Sequence, residues 1–382
     1  MKLHEVRNEQ LRAERALLVA LGVGNTTALM VNEQLDELAL LAETAGAVVA
    51  ARIVQMRVSP DPKYYVGSGK AVEITEAIVK YNADAVIFND DLAPSQLNNL
   101  QEMFGKKTLD RSMLILDIFA KHARTSEAQL QVELAQMHYL APRLTGMWEH
   151  LGQQTGGIGT RGPGEKQLEV DKRIVKKRIG ELRKKLDEVE KQQTEGRKQR
   201  QTVFKAALVG YTNVGKSTLL NALSKAKVYT ADKLFATLDA TTRRVYIPGH
   251  GEILLSDTVG FIRKLPHHLV ASFRSTLSVV TEADIIMTVM DASSPHLEEQ
   301  MEVVNSVLNE LKTEKTRRMM IFNKIDKDVG APFLERLRDL YPGSLFTSAL
   351  QKQGMDELKK AILAVAGTRP GAAGVYVEPP AP

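Results

Sequence analysis

The segment GYTNVGKS, residues 210–217, fits Gly-x-x-x-x-Gly-Lys-Ser, a pattern typical of phosphate-binding loops. The apolar run 206–209 before it predicts a buried strand, and 218–223 after it predicts a helix. In that setting backbone N–H groups bind phosphate oxygens, Lys216 places a charge beside the β- and γ-phosphates, and the Ser217 hydroxyl can bind Mg²⁺. The predicted nucleotide-binding residues here are Gly210, Asn213, Val214, Gly215, Lys216, Ser217 and Thr218.

Asp257 and Gly260, in the segment DTVG, form a second candidate element of a phosphate site. Asp257 follows the apolar run 253–255, so we expect it at the end of a strand facing the phosphate loop. A carboxylate there can hold Mg²⁺ through water, because this ion keeps several of its waters. Gly260 leaves room for its backbone N–H to approach the γ-phosphate.

A threonine between these two elements should bind Mg²⁺ and sense the γ-phosphate from a mobile segment that orders with the triphosphate. Thr237, in FATLDATTRR, is the predicted residue, and Thr241 and Thr242 are the alternatives. The candidate catalytic residues are therefore Lys216, Thr237 and Gly260. The candidate metal ligands are Ser217, Thr237 and Asp257.

The segment NKID, residues 323–326, indicates which base is bound. Asp326 can accept hydrogen bonds from the N1–H and the exocyclic amine of guanine, while Lys324 covers the ring. Adenine has no matching pair of donors, and a site built on such bonds can discriminate by ~10⁴. With Asn323 beside them, and with Ser348 and Ala349 expected at the guanine O6, these residues favour GTP as the substrate.

Phe261 follows Gly260 at a position where many signalling GTPases have a glutamine that orients the attacking water. An apolar side chain cannot do this. We therefore expect slow intrinsic hydrolysis and a partner, or another element of the chain, that completes the site.

The elements that must position these residues alternate between strand and helix, which predicts an α/β fold. Residues 201–367 are expected to form a Ras-like P-loop GTPase domain with a mainly parallel, doubly wound sheet. Residues 1–110 are expected to form an N-terminal α/β domain, and 368–382 a disordered tail. The predicted strands are 15–23, 48–58, 85–89, 206–209, 252–256, 285–290, 318–322 and 344–346, and the N-terminal helices are 31–45, 70–80 and 94–104.

Residues 111–200 predict a long helical hairpin. A first helix over 111–140 ends at Pro142, the glycine-rich segment 152–164 forms a loop, and a second helix follows from residue 165. Apolar residues at heptad-like spacing predict that the two helices pack together. The second helix has more Lys and Arg than Asp and Glu. The loop contains Arg161, and the residues leave open whether it is a functional tip or a passive linker.

Composition limits the class of protein. Hydrophobic residues make up 43% and charged residues 25% of the 382, as in ordinary globular proteins. The absence of cysteine excludes disulfides and thiolate metal sites and suits the cytoplasm. The early apolar run is too short to span a membrane. A net charge of +5 is mild support for a polyanionic partner.

These motifs together resemble the HflX family of GTPases. The resemblance rests on GYTNVGKSTLLNAL, KLFATLDATTRRV, LLSDTVGFIRKLPHHLV and NKID, on DRSMLILDIFAKHARTSEAQLQVELAQMHYLAPRL, and on GGIGTRGPGEKQLEVDKR. It implies a GTPase that binds the large ribosomal subunit and splits stalled or stressed ribosomes. It also implies that the hairpin loop reaches the peptidyl transferase centre, which makes Arg161, Lys166, Lys172 and Arg173 candidate RNA contacts.

The resemblance has further implications for cofactors and regulation. Asn213 matches phosphate loops of potassium-responsive relatives, which predicts stimulation by K⁺. Some members also hydrolyse ATP, although Asp326 favours guanine here. We expect a monomer whose hydrolysis the ribosome activates. Two alternatives stay open: a regulatory switch with a non-ribosomal protein partner, and an RNA-binding remodeller in which nucleotide turnover is secondary.

Overall fold

The computed structural model describes residues 13–152, 163–198, 203–224, 234–235, 240–264, 277–327 and 329–367. Thr237, Arg161 and the tail 368–382 lie outside these residues, as does most of the glycine-rich loop. By spatial proximity the chain divides into two compact units. One unit comprises Met1–Ile118 and Tyr139–Val175, and the other comprises Phe119–His138 and Lys176–Pro382. The domain bounds expected from the sequence remain a prediction.

The first unit contains a four-stranded parallel sheet in the order β2-β1-β3-β4. Its strands are β1 (Arg15–Val23), β2 (Val48–Arg57), β3 (Ala85–Phe88) and β4 (Lys107–Leu109). The helices between them are α1 (Ala28–Ala45), α2 (Ser68–Lys80) and α3 (Pro94–Phe104). Strand β1 is central and its residues Ala16–Leu21 are buried, as a continuous apolar run requires in a parallel sheet. Gly67 is the N-cap of α2, so GSGK at 67–70 begins a helix.

Three long helices follow: α4 (Arg111–His122), α5 (Ser126–Gly152) and α6 (Pro163–Lys198). The single helix predicted over 111–140 is therefore two helices, and the prediction that Pro142 ends it is wrong, because Pro142 lies inside α5. Side-chain contacts hold this stretch. Arg143 donates to the carbonyl of Tyr139 at 3.0 Å and to the Asp110 carboxylate at 2.9 Å. Tertiary contacts thus outweigh the backbone hydrogen bond that proline cannot make.

The second unit contains a six-stranded sheet in the order β10-β9-β8-β5-β7-β6. Only the pairing of β6 with β7 is antiparallel among these described strands. The strands are β5 (Lys205–Gly210), β6 (Thr241–Ile247), β7 (Gly251–Asp257), β8 (Ile285–Asp291), β9 (Arg317–Asn323) and β10 (Leu345–Phe346). The helices are α7 (Lys216–Leu223), α8 (Ser278–Thr281), α9 (Leu297–Glu310), α10 (Ala331–Leu340) and α11 (Met355–Ala366).

The predicted fold class is confirmed: an N-terminal α/β domain precedes a P-loop domain with a mainly parallel sheet. Helices α5 and α6 contact each other in the second unit, where Arg178 donates to Glu133 at 2.7 Å. Strands β5, β7, β8 and β9 are parallel, so their carboxyl ends meet at one edge of the sheet. In the described part of the chain, no helix combines the length and apolar character needed to cross a membrane.

Candidate nucleotide-binding site

The phosphate loop connects β5 to α7, as the sequence predicts, and its glycines are required by close neighbours. Gly215 has φ of +93°, and a Cβ there would lie 2.4 Å from the Asn323 side-chain nitrogen. A Cβ on Gly210 would lie 2.2 Å from the carbonyl oxygen of Val289. A larger residue at 210 would clash with the backbone of β8, and one at 215 would clash with the side chain of Asn323.

Lys216 is the first residue of α7, and its side chain lies inside the loop. The residue is 6% exposed, and Nζ donates to the carbonyl oxygens of Tyr211 at 2.8 Å and Gly210 at 3.2 Å. Burial, with a smaller contribution from the nearby charge of Lys324, lowers the pKa of Lys216 to about 8 against the raising effect of Asp257. A buried ammonium group held mainly by carbonyls suits a phosphate, which would supply the missing negative charge.

Ser217 and Asp257 provide oxygen ligands on the opposite side of the loop. Ser217 Oγ donates to Asp257 Oδ2 at 2.5 Å, and Asp257 is fully buried at the end of β7. One hydroxyl and one carboxylate fit Mg²⁺, which takes few protein ligands and fills its octahedron with phosphate oxygens and water. The predicted pair is therefore adjacent and chemically suited to this ion. Thr218 is half-buried in the same turn of α7, and Val214 is buried.

Gly260 and Phe261 bring the segment after β7 against the phosphate loop. A Cβ on Gly260 would lie 2.7 Å from Thr212 Cα and 3.1 Å from Lys216 Nζ. Phe261 pairs with the loop through its backbone: its N–H donates to Gly210 and its carbonyl accepts from Thr212. The Phe261 ring is 2% exposed and belongs to the core. Gly260 is therefore beside the position of the phosphates, whereas the side chain of Phe261 points away from solvent.

Asn323, at the end of β9, joins the base-reading segment to the phosphate loop. Its Nδ2 donates to the Val214 carbonyl at 2.9 Å, and its Oδ1 accepts from the Ala349 N–H at 2.9 Å and from the Thr347 hydroxyl at 3.2 Å. Asn323 is thus a structural support of the site. Thr347 is a supporting residue that the sequence reasoning missed, because a single buried threonine carries no motif.

Lys324 and Asp326 have the surroundings expected of base-binding residues. Lys324 has φ of +63°, and its Nζ donates to the Asn213 carbonyl at 2.6 Å and pairs with Asp291 at 2.8 Å. Asp291, at the end of β8, was also missed. Asp326 is half-buried, and within the described part of the chain its carboxylate makes no hydrogen bond or ion pair. Its two oxygens thus remain available as acceptors.

Ser348 and Ala349 form the loop after β10. Ser348 is fully buried; its backbone pairs with Gln353, and its hydroxyl accepts from the Gln351 N–H at 3.1 Å. Ala349 is anchored to Asn323, as described above. The structure therefore brings the loop next to the base-reading segment, as expected of a support for the guanine O6.

The remaining predicted residues lie in β6, in α6 or outside the described residues. Thr237 is outside them, and its two alternatives lie in β6, where Thr241 faces Asp257 across the strand pair and Thr242 Oγ1 is 2.8 Å from Ser256 Oγ. Arg161 is also outside. Lys166 lies within α6, but its side chain is not among those described. Lys172 and Arg173 are exposed on α6.

A phosphate loop with a buried lysine, a hydroxyl–carboxylate pair and an open carboxylate after β9 define a P-loop GTPase domain. Family models agree with this class. "50S ribosome-binding GTPase" matches residues 205–324, "GTP-binding GTPase N-terminal" matches 32–120, and "GTP-binding GTPase Middle Region" matches 122–200. The chain belongs to the HflX family of GTPases, and it binds and hydrolyses GTP.

Relatives match along most of their length. The GTPase HflX of Flavobacterium psychrophilum is 43% identical over 94% of this chain and 91% of its own. The GTPase HflX of Escherichia coli is 45% identical over 86% of this chain and 78% of its own. A crystal structure of a protein called SsGBP in complex with GDP is 26% identical, with a TM-score of 0.52, and covers 92% of this chain and 98% of that one. The resemblance inferred from the motifs is confirmed.

Proposed function

We propose that this GTPase binds the large ribosomal subunit in the cytoplasm and uses its GTP cycle to dissociate stalled or stressed ribosomes. Two observations support a ribosomal partner. The family whose model matches the nucleotide domain is described as ribosome-binding. In addition, α6 presents exposed basic side chains, which suit contacts to RNA phosphates.

The environment of Phe261 is the observation that most supports the need for a partner in GTP hydrolysis. Its ring is buried and both backbone groups are bonded to the phosphate loop, so it cannot orient a water molecule for attack. Free GTPase should therefore hydrolyse slowly. A group supplied by the ribosome, or by a segment that the ribosome repositions, would complete the site.

The roles within the site follow from its geometry. Lys216 and the backbone N–H groups of the loop and of Gly260 bind the β- and γ-phosphates, and Ser217 and Asp257 hold Mg²⁺, with Thr237 as a third ligand. The metal neutralises phosphate charge when bound. Asp326 reads guanine, Lys324 covers the base, and Ser348 and Ala349 support the O6 side.

Arg161, Lys166, Lys172 and Arg173 are proposed to contact ribosomal RNA near the peptidyl transferase centre. Lys172 and Arg173 support this because they are exposed and, among the described residues, make no ion pair. Shortening 153–163 should then abolish ribosome splitting while GTP affinity stays unchanged. Equal loss of both properties would argue against a separate role for the loop.

The test of the function is GTP hydrolysis by the full chain with and without purified large subunits, over a salt series. We expect stimulation by subunits and binding that weakens steeply with salt, because phosphate contacts release counterions. Arg244→Ala is the control variant and should bind subunits as the wild type does, since it removes an exposed basic residue far in sequence from α6. Absence of both stimulation and salt-sensitive binding would favour the regulatory switch with a protein partner. Splitting that survives Lys216→Ala would favour the RNA remodeller.

Potassium is a separate proposal that rests on Asn213. This residue has φ of +60° in the phosphate loop and is exposed at the mouth of the site. Hydrolysis in KCl should exceed that in NaCl at equal ionic strength, and Asn213→Ala should remove the difference. Equal rates in the two salts would exclude the role.

A further inference from the structure

Gly180 lies in the middle of α6, and the fold itself does not require a glycine there. The residue is exposed, and a Cβ built on it would meet nothing within 4 Å. Gly210, Gly215 and Gly260, by contrast, all face atoms closer than 3.0 Å. Apart from proline, glycine is the least favourable residue inside a helix. Gly180 therefore leaves the helix backbone exposed in the middle of α6.

The side chains three and four positions away from Gly180 are all basic. On a helix surface the neighbours of a residue are those three and four positions away, at about 5–6 Å between Cβ atoms. For Gly180 these neighbours are Lys176, Lys177, Arg183 and Lys184. We name Gly180 with these four residues the phosphate seat. It is a stretch of exposed helix backbone inside a ring of cationic side chains.

Most of this charge is not cancelled within the described part of the chain. Lys176 and Lys184 make no ion pair there, and Lys177 reaches Glu181 only at 3.9 Å, with its side chain 79% exposed. Glu181 also pairs with Arg178, outside the ring, at 3.6 Å. Lys176 and Lys184 are therefore available to an external anion, and the exposed Lys177 is only weakly held by Glu181.

Arg183 has a neighbour on α5 that brings no negative charge. Its Nη2 lies 3.3 Å from Nε2 of His138. Burial and the charge of Arg183 both lower the pKa of His138, so the His138 imidazole is neutral at pH 7. The opposite face of α6 is apolar and faces the protein, with Leu182 fully buried. The phosphate seat therefore faces outward.

We propose that the phosphate seat binds the sugar-phosphate backbone of RNA, which approaches α6 at Gly180 more closely than any side chain would allow. Glycine is used where a ligand approaches the main chain, and Lys and Arg supply charge to phosphates. A protein partner fits less well, because protein interfaces have an apolar core and none of these five positions is apolar. The inference deepens the proposed function, since it names an RNA-contacting surface that the hairpin-loop residues do not include.

Gly180→Ala tests the proposal because stability and binding should change in opposite directions. The methyl group should weaken binding of the full chain to large subunits and to a 16-base-pair RNA duplex by about tenfold, while the better helix former raises Tm by about 2 °C. Gly180→Gln should weaken binding further. Lys184→Ala should lower the slope of log Kd against log salt by about one. Gly69→Ala is the matched control, because Gly69 is helical, exposed and equally open; its affinity should equal that of the wild type.

Each result decides between defined outcomes. Unchanged RNA affinity in Gly180→Ala would refute RNA binding at the phosphate seat. Wild-type protein that binds neither RNA nor subunits would refute it as well. Equal sensitivity of poly-glutamate binding to Gly180→Ala would assign it to an acidic protein instead. The wild type could bind the duplex but not large subunits, while Gly180→Ala still binds the duplex more weakly. That result would support RNA binding at the phosphate seat and refute the ribosomal function. Subunit binding that is unaffected by Gly180→Ala would refute only the seat.

Discussion

The two sheets of this chain, one parallel and one mainly parallel, both place polar residues at the carboxyl ends of parallel strands, but those residues have different partners. In the first unit Asp110, fully buried after β4, accepts from the Tyr139 hydroxyl at 2.8 Å and from Arg143 at 2.9 Å. It also accepts from the N–H groups of Met113 and Leu92. Burial raises the pKa of Asp110, and these hydrogen bonds and the charge of Arg143 oppose the rise. This carboxylate is satisfied by its own chain.

In the second unit the corresponding residues are only partly satisfied. Lys216 donates to neutral carbonyls, and Asp326 has no hydrogen bond within the described residues. The difference shows that the position of polar residues at the carboxyl edge of a parallel sheet does not identify a binding site by itself. The informative property is whether the fold already provides partners of matching charge.

The largest expected effect is at Asp326. Asn presents a donor as well as an acceptor, so Asp326→Asn should bind xanthosine triphosphate, whose C2 carbonyl accepts a hydrogen bond. The preference for GTP over the xanthine nucleotide should fall by about 10⁴. Competition binding with both nucleotides measures it, with Lys327→Gln, an exposed neighbour, as the control. An unchanged preference would show that the base is read elsewhere.

Asp110→Ala should act on stability alone. Removing one partner from a buried charged network leaves Arg143 and Tyr139 without their acceptor and should cost about 3–5 kcal/mol. Chemical denaturation, followed by hydrogen exchange in β3 and β4, measures this cost. Asp91→Ala removes an exposed carboxylate bonded to Ser112 and should cost about 1 kcal/mol. A change in GTP affinity larger than the change in stability would show that Asp110 also acts on the nucleotide site. The contrast between the two sheets would then be wrong.

Lys216→Ala should show the reverse pattern. Loss of a charge aimed at the transferred phosphate should slow GTP hydrolysis by about 10²–10³. The nucleotide-free protein should not be destabilised, because the substitution also removes a buried, poorly compensated charge. Single-turnover hydrolysis and thermal unfolding measure the two effects. Lys360→Ala, on the exposed side of α11, should change neither.

The smallest expected effect is a pH dependence of stability from Lys216. Its pKa is about 8 in the folded state, below the 10.5 of an ordinary lysine, so between these values the unfolded chain holds a proton that the folded chain has released. Stability from this group therefore rises with pH across that window and is lowest below pH 8. The Tm of the wild type relative to Lys216→Met should rise by about 2 °C per pH unit from 8 to 9.5. A flat difference would indicate that Lys216 is better compensated than its neighbours suggest.

Much of the nucleotide edge could be predicted because each element combines a motif with a strand. The glycines and Lys216 fix a loop, and Asp257 and Asp326 follow apolar runs. The sequence could not show that Asn323 supports the phosphate loop, because this bond joins residues far apart in the chain. Asp291 and Thr347 were missed because each is a single polar residue with no local pattern.

The fold shows similar limits. Strand β1 and helix α3 have the predicted bounds, because one is a clear apolar run and the other begins at a proline. Strand β4 has only three residues, which is too short for a period to be read. Strand β6 contains Arg243 and Arg244 side by side, which interrupts any alternation. Pro142 was misassigned because the network around Asp110, which holds α5 through the proline, is invisible in sequence.

The hydrogen bonds of Asn323 and Lys324 have a kinetic consequence. Asn323 bonds to Val214, Thr347 and Ala349, and Lys324 bonds to Asn213 and Asp291, so protein groups alone join the two parts of the site. The base pocket and the phosphate loop are therefore preorganised during folding, and little ordering entropy remains to be lost on binding. Association of guanine nucleotides should then be limited by encounter rather than by loop closure, and affinity differences among variants of the pocket should reside mainly in dissociation rates.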